Sequence, residues 1–297
     1  MLRDAPAPQP LPTEAVITVK AISVNPGEIR NAAAKPTGSR IGWDFAGVVE
    51  TPAADGSGPM TGTRVVGMVP TAAWARRIAA PTHAIAELPD AVSFAQASTL
   101  PVAGLTALHA LYKGGFLLGK PVLITGATGG TGMFACQLAK LAGAKVVATV
   151  RSQERAAFVE KMGAAHVVVG EDPSGAEKFG PYRLIIDSVG GDYFSKVLGM
   201  LASKGTCVIF GTMAGPEPKI DARKFYSTGE TTLYGMIVFK ELIHEPASIG
   251  LRTLVDLLAA KKIVTQVDVE EPWTNVADVA KRLQNRQFVG KAVLQVE

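Results

Sequence analysis

Apolar and polar positions fall into two textures along the chain. Up to about residue 100, short runs rich in Val and Ile are separated by Gly, Pro and polar residues. These are AVITVKAISV (15–24), FAGVVE (45–50), TRVVGMV (63–69) and HAIAEL (83–88). Runs of this length bounded by turn residues predict strands, with no long helix between them. From residue 101 the periods alternate. PVLITG (121–126) is an unbroken apolar strand, and residues 130–143 carry Phe134, Leu138 and Leu141 at helical spacing before a terminating Gly143. The same alternation predicts strands at 145–150, 166–170, 183–190, 205–211 and 231–239. It predicts helices at 152–164, with Ser152 as N-cap, and at 192–202. Apolar strands alternating with helices make a parallel, doubly wound sheet covered on both faces. The tail predicts helices at 246–263 and 275–285 and a strand at 291–297, which either cap this sheet or return to the first region.

Composition narrows the class. In 297 residues, 47% are hydrophobic and 19% charged, which is ample for a core. The net charge of +4 comes without a Lys/Arg cluster, so a nucleic-acid groove is not expected, and anionic small ligands suit it better. The uncharged stretch 91–112 contains Gln96, Ser98, Pro101 and His109, so it reads as buried loop and helix and not as a membrane span. Two distant cysteines, Cys136 and Cys207, form neither a disulfide framework nor a four-cysteine zinc site, and they fit a reducing, cytoplasmic setting.

The chemistry concentrates in ATGGTG (127–132), between a strand and a helix. Thr128, Gly129, Gly130, Thr131 and Gly132 are expected to bind a dinucleotide. The glycines permit a tight turn and close approach of backbone N–H groups to the pyrophosphate at the positive helix start. An NAD site places a carboxylate about 20 residues on, at the end of the second strand. Here Val150 and Arg151 stand there, Arg151 lying 22 residues past Gly129. Arg151, Ser152 and Arg155 suit a 2′-phosphate, so NADPH is the expected cofactor, favoured over NADH on the order of 100-fold.

These residues, with SVNPGEIR (23–30), IGWDFAGVVE (41–50), GTRVVG (62–67), LPDAVSFAQASTLPVAGLTAL (88–108), IIDSVGG (185–191) and GKAVLQV (290–296), resemble the medium-chain dehydrogenase/reductase superfamily. They resemble most its zinc-free quinone oxidoreductase (zeta-crystallin-like) branch. The resemblance implies an α/β protein with a GroES-like β-rich substrate domain (1–100 and 240–297) and a Rossmann NADP(H)-binding domain (101–239). It implies a homodimer through the Rossmann edge strand. It places Asn25 and Thr106 as catalytic residues near the nicotinamide, Ser188, Val189, Phe210, Gly211 and Thr212 around the cofactor, and Arg286 and Lys291 approaching it. Where zinc members carry Cys and His-Glu, this chain has Asn25 and Trp43-Asp44, so no metal site is expected. Hydride transfer to a quinone or small conjugated carbonyl follows as the expected reaction. The alternatives are an enoyl-thioester reductase of lipid or polyketide metabolism, and a weakly catalytic NADPH-binding sensor or structural protein.

Overall fold

The computed structural model describes residues 3–297, and these form two compact units. One comprises the chain up to Leu105 together with Leu242–Glu297, and the other is Thr106–Glu241. Among the described residues no helix is long and apolar enough to cross a membrane.

The first unit begins with β1 (Glu14–Val24) and α1 (Pro26–Ala34). α1 lies where no helix is expected from the sequence. Pro26 at its first position sets φ for helix entry, and Glu28 reaches back to the Asn25 backbone N–H at 2.7 Å. β2 (Asp44–Thr51), β3 (Arg64–Met68), β4 (Arg77–Pro81) and β5 (Ile85–Glu87) follow. Then come α2 (Phe94–Ser98) and one π-helical turn (Leu100–Gly104), leading into α3 (Leu105–Tyr112).

The second unit is a six-stranded parallel sheet with helices. In chain order it contains β6 (Pro121–Ile124), α4 (Gly130–Leu141), β7 (Lys145–Val150), α5 (Ala156–Lys161) and β8 (His166–Val169). β9 (Tyr182–Asp187), α6 (Gly191–Leu198), β10 (Leu201–Ile209), α7 (Ala222–Ser227), β11 (Thr232–Gly235) and α8 (Val238–Glu241) complete it. The order β11-β10-β9-β6-β7-β8 is the doubly wound one, in which the direction of winding reverses between β6 and β9. Its core holds Leu123, Val147, Ile185, Phe194 and Cys207. Two expected elements shrink. The strand expected at 231–239 ends at Gly235 and gives way to α8, and the helix at 152–164 is a 3-10 turn (Gln153–Arg155) followed by α5. Ser152 sits at the N-cap of that turn and its side chain makes no capping bond.

The tail adds α9 (Ala247–Ala259), β12 (Val267–Pro272), α10 (Val276–Gln284) and β13 (Lys291–Gln295). It returns to the first unit. β13 pairs antiparallel with β1, with Val24 opposite Ala292 and Ala21 opposite Gln295. The result is one seven-stranded sheet ordered β12-β13-β1-β2-β3-β5, with β4 pairing on β1. Ile17, Ile22, Phe45, Val65, Ile78 and Leu294 fill its core. Each such side chain withdrawn from water contributes about 1.5–3 kcal/mol before entropy.

Candidate functional site

In the second unit, β6 runs into a turn at Gly126 (φ +58°) and then into α4. The N-cap of α4 is Gly129, in extended conformation, and no side chain caps it. Its neighbour Gly132 is where helix and turn touch. A Cβ there would lie 2.5 Å from the Gly126 carbonyl oxygen and 2.6 Å from Ala127 Cα. Only glycine permits this approach, which leaves the positive end of a 12-residue helix open to an anion. Arg155 donates from Nη1 to Thr128 Oγ1 at 3.4 Å, which ties the end of β7 to this loop.

Two further turns meet the loop. Thr125 donates from Oγ1 to the buried Asp187 at 2.6 Å, and the other Asp187 oxygen accepts from Gly190 N at 2.9 Å. Burial raises the Asp187 carboxyl above its ordinary range. Ala214 N donates to Val189 O at 2.7 Å, and Phe210 N donates to Asp187 O at 3.1 Å. A Cβ on Gly211 would lie 2.7 Å from Ser188 O. The structure thus brings Ser188, Val189, Phe210, Gly211 and Thr212 together beside Gly126. Asp187 falls within the IIDSVGG motif, whereas Thr125, which donates to it, was not singled out in sequence.

A cavity of about 240 Å³ opens at the carboxyl ends of β7, β8 and β9, bordered by Gly126. From β7 it takes Thr149, Val150 and Arg151; Gly170 and Glu171 follow β8; Val189, Asp192 and Tyr193 follow β9. The Tyr193 phenol shares a hydrogen bond with Thr149, and burial pushes it above its usual range. In open parallel sheets, ligands bind at the carboxyl ends of the strands. Thr149, Glu171, Asp192 and Tyr193 are absent from the sequence-based site. The sheet order, which sets the β9 turn beside the β7 end, is the signal that joins them. Thr106 lies in the same unit, buried in α3.

The first unit holds a buried polar cluster around Asn25. Its amide nitrogen donates to Glu28 Oε2 at 2.9 Å and to Asp44 Oδ2 at 2.8 Å. Its Oδ1 accepts from Lys291 Nζ at 2.6 Å. Ser23 Oγ and Val102 N also donate to Asp44, and Trp43 N donates to Glu28. Lys291 stands 3.8 Å from Asp44 and donates to Val24 O. All four of Asn25, Glu28, Asp44 and Lys291 are at most 5% exposed. Burial, then the Asp44 charge, pushes Glu28 up to about 8. Burial also raises Asp44 and lowers Lys291. Both amide hydrogens of Asn25 are used inside this cluster, so its side chain is a hub between charges. The Lys291 ammonium likewise turns inward to Asn25 and Val24. Arg286 is half-buried in the same unit, at φ +57° just past α10. Among the described residues no group of three or more His, Cys, Asp or Glu stands together as a metal set.

Comparison with known proteins agrees with this geometry. Residues 130–256 match the family model described as zinc-binding dehydrogenase. The chain is 31% identical over 223 residues to quinone oxidoreductase of Salmonella typhimurium, covering 70% of this chain and 66% of that one. It is 26% identical over 298 residues to prostaglandin reductase-3 of Mus musculus, covering 90% and 75%. The crystal structure of Escherichia coli quinone oxidoreductase complexed with NADPH superposes with a TM-score of 0.88. It is 27% identical, and the match covers 99% of this chain and 94% of that one.

Proposed function

The chain belongs to the medium-chain dehydrogenase/reductase superfamily, on the zinc-free quinone oxidoreductase-like side, and on that premise we propose that it is an NADPH-dependent reductase of quinones or small enones. The observation that carries the reading is the uncapped N-terminus of α4 beside the cavity that Arg151 lines at the end of β7. The helix start takes the pyrophosphate, Arg151 faces the 2′-phosphate, and Arg155 steadies Thr128. The turns at 187–191 and 210–215 hold the nicotinamide amide by their backbone groups. When bound, the reduced nicotinamide supplies a hydride.

The acceptor class follows from the Asn25 cluster. By the family resemblance, Asn25 and Trp43-Asp44 stand where metal-dependent members carry Cys and His-Glu, and here Asn25 accepts from Lys291 while Asp44 lies 3.8 Å from it. An acceptor that is already electron-poor needs no Lewis acid at that place. In this reading Asn25 is a positioning residue. Buried, free Cys136 and Cys207 fit a cytoplasmic protein. The edge strand β11, with Leu233 39% exposed, fits a homodimer joined along it.

A panel of acceptors followed by NADPH absorbance tests the reading. Chelator-treated protein is expected to consume NADPH with ortho- or para-quinones or small enones, and to leave NADP⁺ unreduced with primary alcohols. Alcohol oxidation without quinone or enone reduction, or activity abolished by removing a stoichiometric zinc, would defeat it.

A further inference from the structure

Arg151 and Arg155 alone would favour NADPH about a hundredfold, but the cavity at the ends of β7, β8 and β9 also carries carboxylates. The charged side chains that line it are one arginine, Arg151, and two carboxylates, Glu171 and Asp192. Arg155 is directed to Thr128 on the phosphate loop. The lining therefore carries one more negative charge than positive. All three charged side chains belong to exposed residues at the rim, so each acts through solvent and is screened by salt.

We infer that Glu171 and Asp192 are specificity residues that oppose Arg151, holding the preference for a 2′-phosphorylated cofactor well below what the arginines alone would give. The inference rests on the proposed cofactor site. A 2′-phosphate carries close to two negative charges, and the free ribose hydroxyl of NADH carries none. A carboxylate at the rim therefore acts on one cofactor and spares the other, which is how a site discriminates by repulsion. Thr149 and Tyr193, hydrogen-bonded to each other within the same cavity, are uncharged and add nothing to this repulsion.

The test is direct titration of the full-length protein with NADPH and with NADH, read by fluorescence of the bound nicotinamide, so that no turnover is needed. Glu171→Gln and Asp192→Asn are each expected to tighten NADPH about three- to tenfold, as neutralising one solvated charge near a phosphate should, and to leave NADH unchanged. The double variant is expected to show an NADPH-to-NADH affinity ratio that falls as salt rises, because its lining is then net positive. The parent's ratio should stay flat or rise. Arg151→Ala should move NADPH in the opposite direction. Glu230→Gln, at the far edge of the same sheet, should move neither. Unchanged NADPH affinity in both carboxylate variants, an equal shift for both cofactors, or the same shift in Glu230→Gln would overturn the inference. A parent that binds neither cofactor would overturn the functional reading itself. The first group of outcomes requires NADH or NADPH binding, so the two failures are distinguishable.

Discussion

A carboxyl group shut away from water beside a second carboxyl keeps its proton to higher pH than one in solution. Glu28 is in that position, pushed from 4.5 up to about 8 by burial and then by Asp44. Between those two values the unfolded chain releases a proton that the folded chain retains. The contribution of Glu28 to stability is therefore full below about pH 4.5 and falls away as the pH rises to about 8. Glu28→Gln cannot titrate, and its amide nitrogen cannot accept, so at least one of the three N–H donors around it loses its partner at every pH. Urea unfolding of parent and variant should therefore show a stability difference that shrinks by a few kcal/mol from about pH 5 to about pH 8.5, at about 1.4 kcal/mol per unit. Parallel curves would disprove the assignment. Asn25, Asp44 and Lys291 each stand out through the family resemblance, but their meeting in one cluster does not, because Lys291 lies 266 residues from Asn25 and no local pattern joins the two.

At the scale of elements, the join between β6 and α4 makes the sharpest demand. Gly132→Ala would place a methyl group 2.5 Å from a backbone oxygen, and backbone cannot yield as a flexible side chain can. It is expected to cost about 1–3 kcal/mol of stability and to weaken NADPH and NADH in the same proportion, since both carry the pyrophosphate. Gly129→Ala, whose Cβ would stand 3.4 Å from the same oxygen, should be far milder. Thermal unfolding and cofactor titration of the two variants check this, and equal behaviour would refute it. The central strands of the second unit were legible because buried parallel strands are unbroken apolar runs, whereas α7 and α8 were not. Other elements were hidden. In β12 Val267 and Val269 alternate with Asp268, Glu270 and Glu271, so the run looks like loop. In α1 the polar face outweighs the apolar one, and its start is marked only by Asn25, Pro26 and Glu28.

At the scale of the whole molecule, the proposed homodimer has a direct consequence. If β11 joins two copies, Leu233→Lys places a charge on the shared edge and should give monomers, measured by sedimentation velocity. An unchanged sedimentation coefficient in that variant, or a parent that is already monomeric, would rule the edge out. The tail's own pattern left open whether it capped the parallel sheet or returned to the first region; the family resemblance implied the return, and the pairing of β13 on β1 is the contact through which it is made. That pairing also sets an order of events in the cell. β1 leaves the ribosome long before β13 exists, with 266 residues between Asn25 and Lys291. At about 5–20 residues per second, this amounts to roughly 13–53 s of translation. Throughout that interval the part of β1 that β13 will pair has an open edge, and Asn25 and Asp44 lack the Lys291 ammonium. The unit whose synthesis starts first is therefore the last to close, and the continuous Thr106–Glu241 segment is complete and free to fold before it.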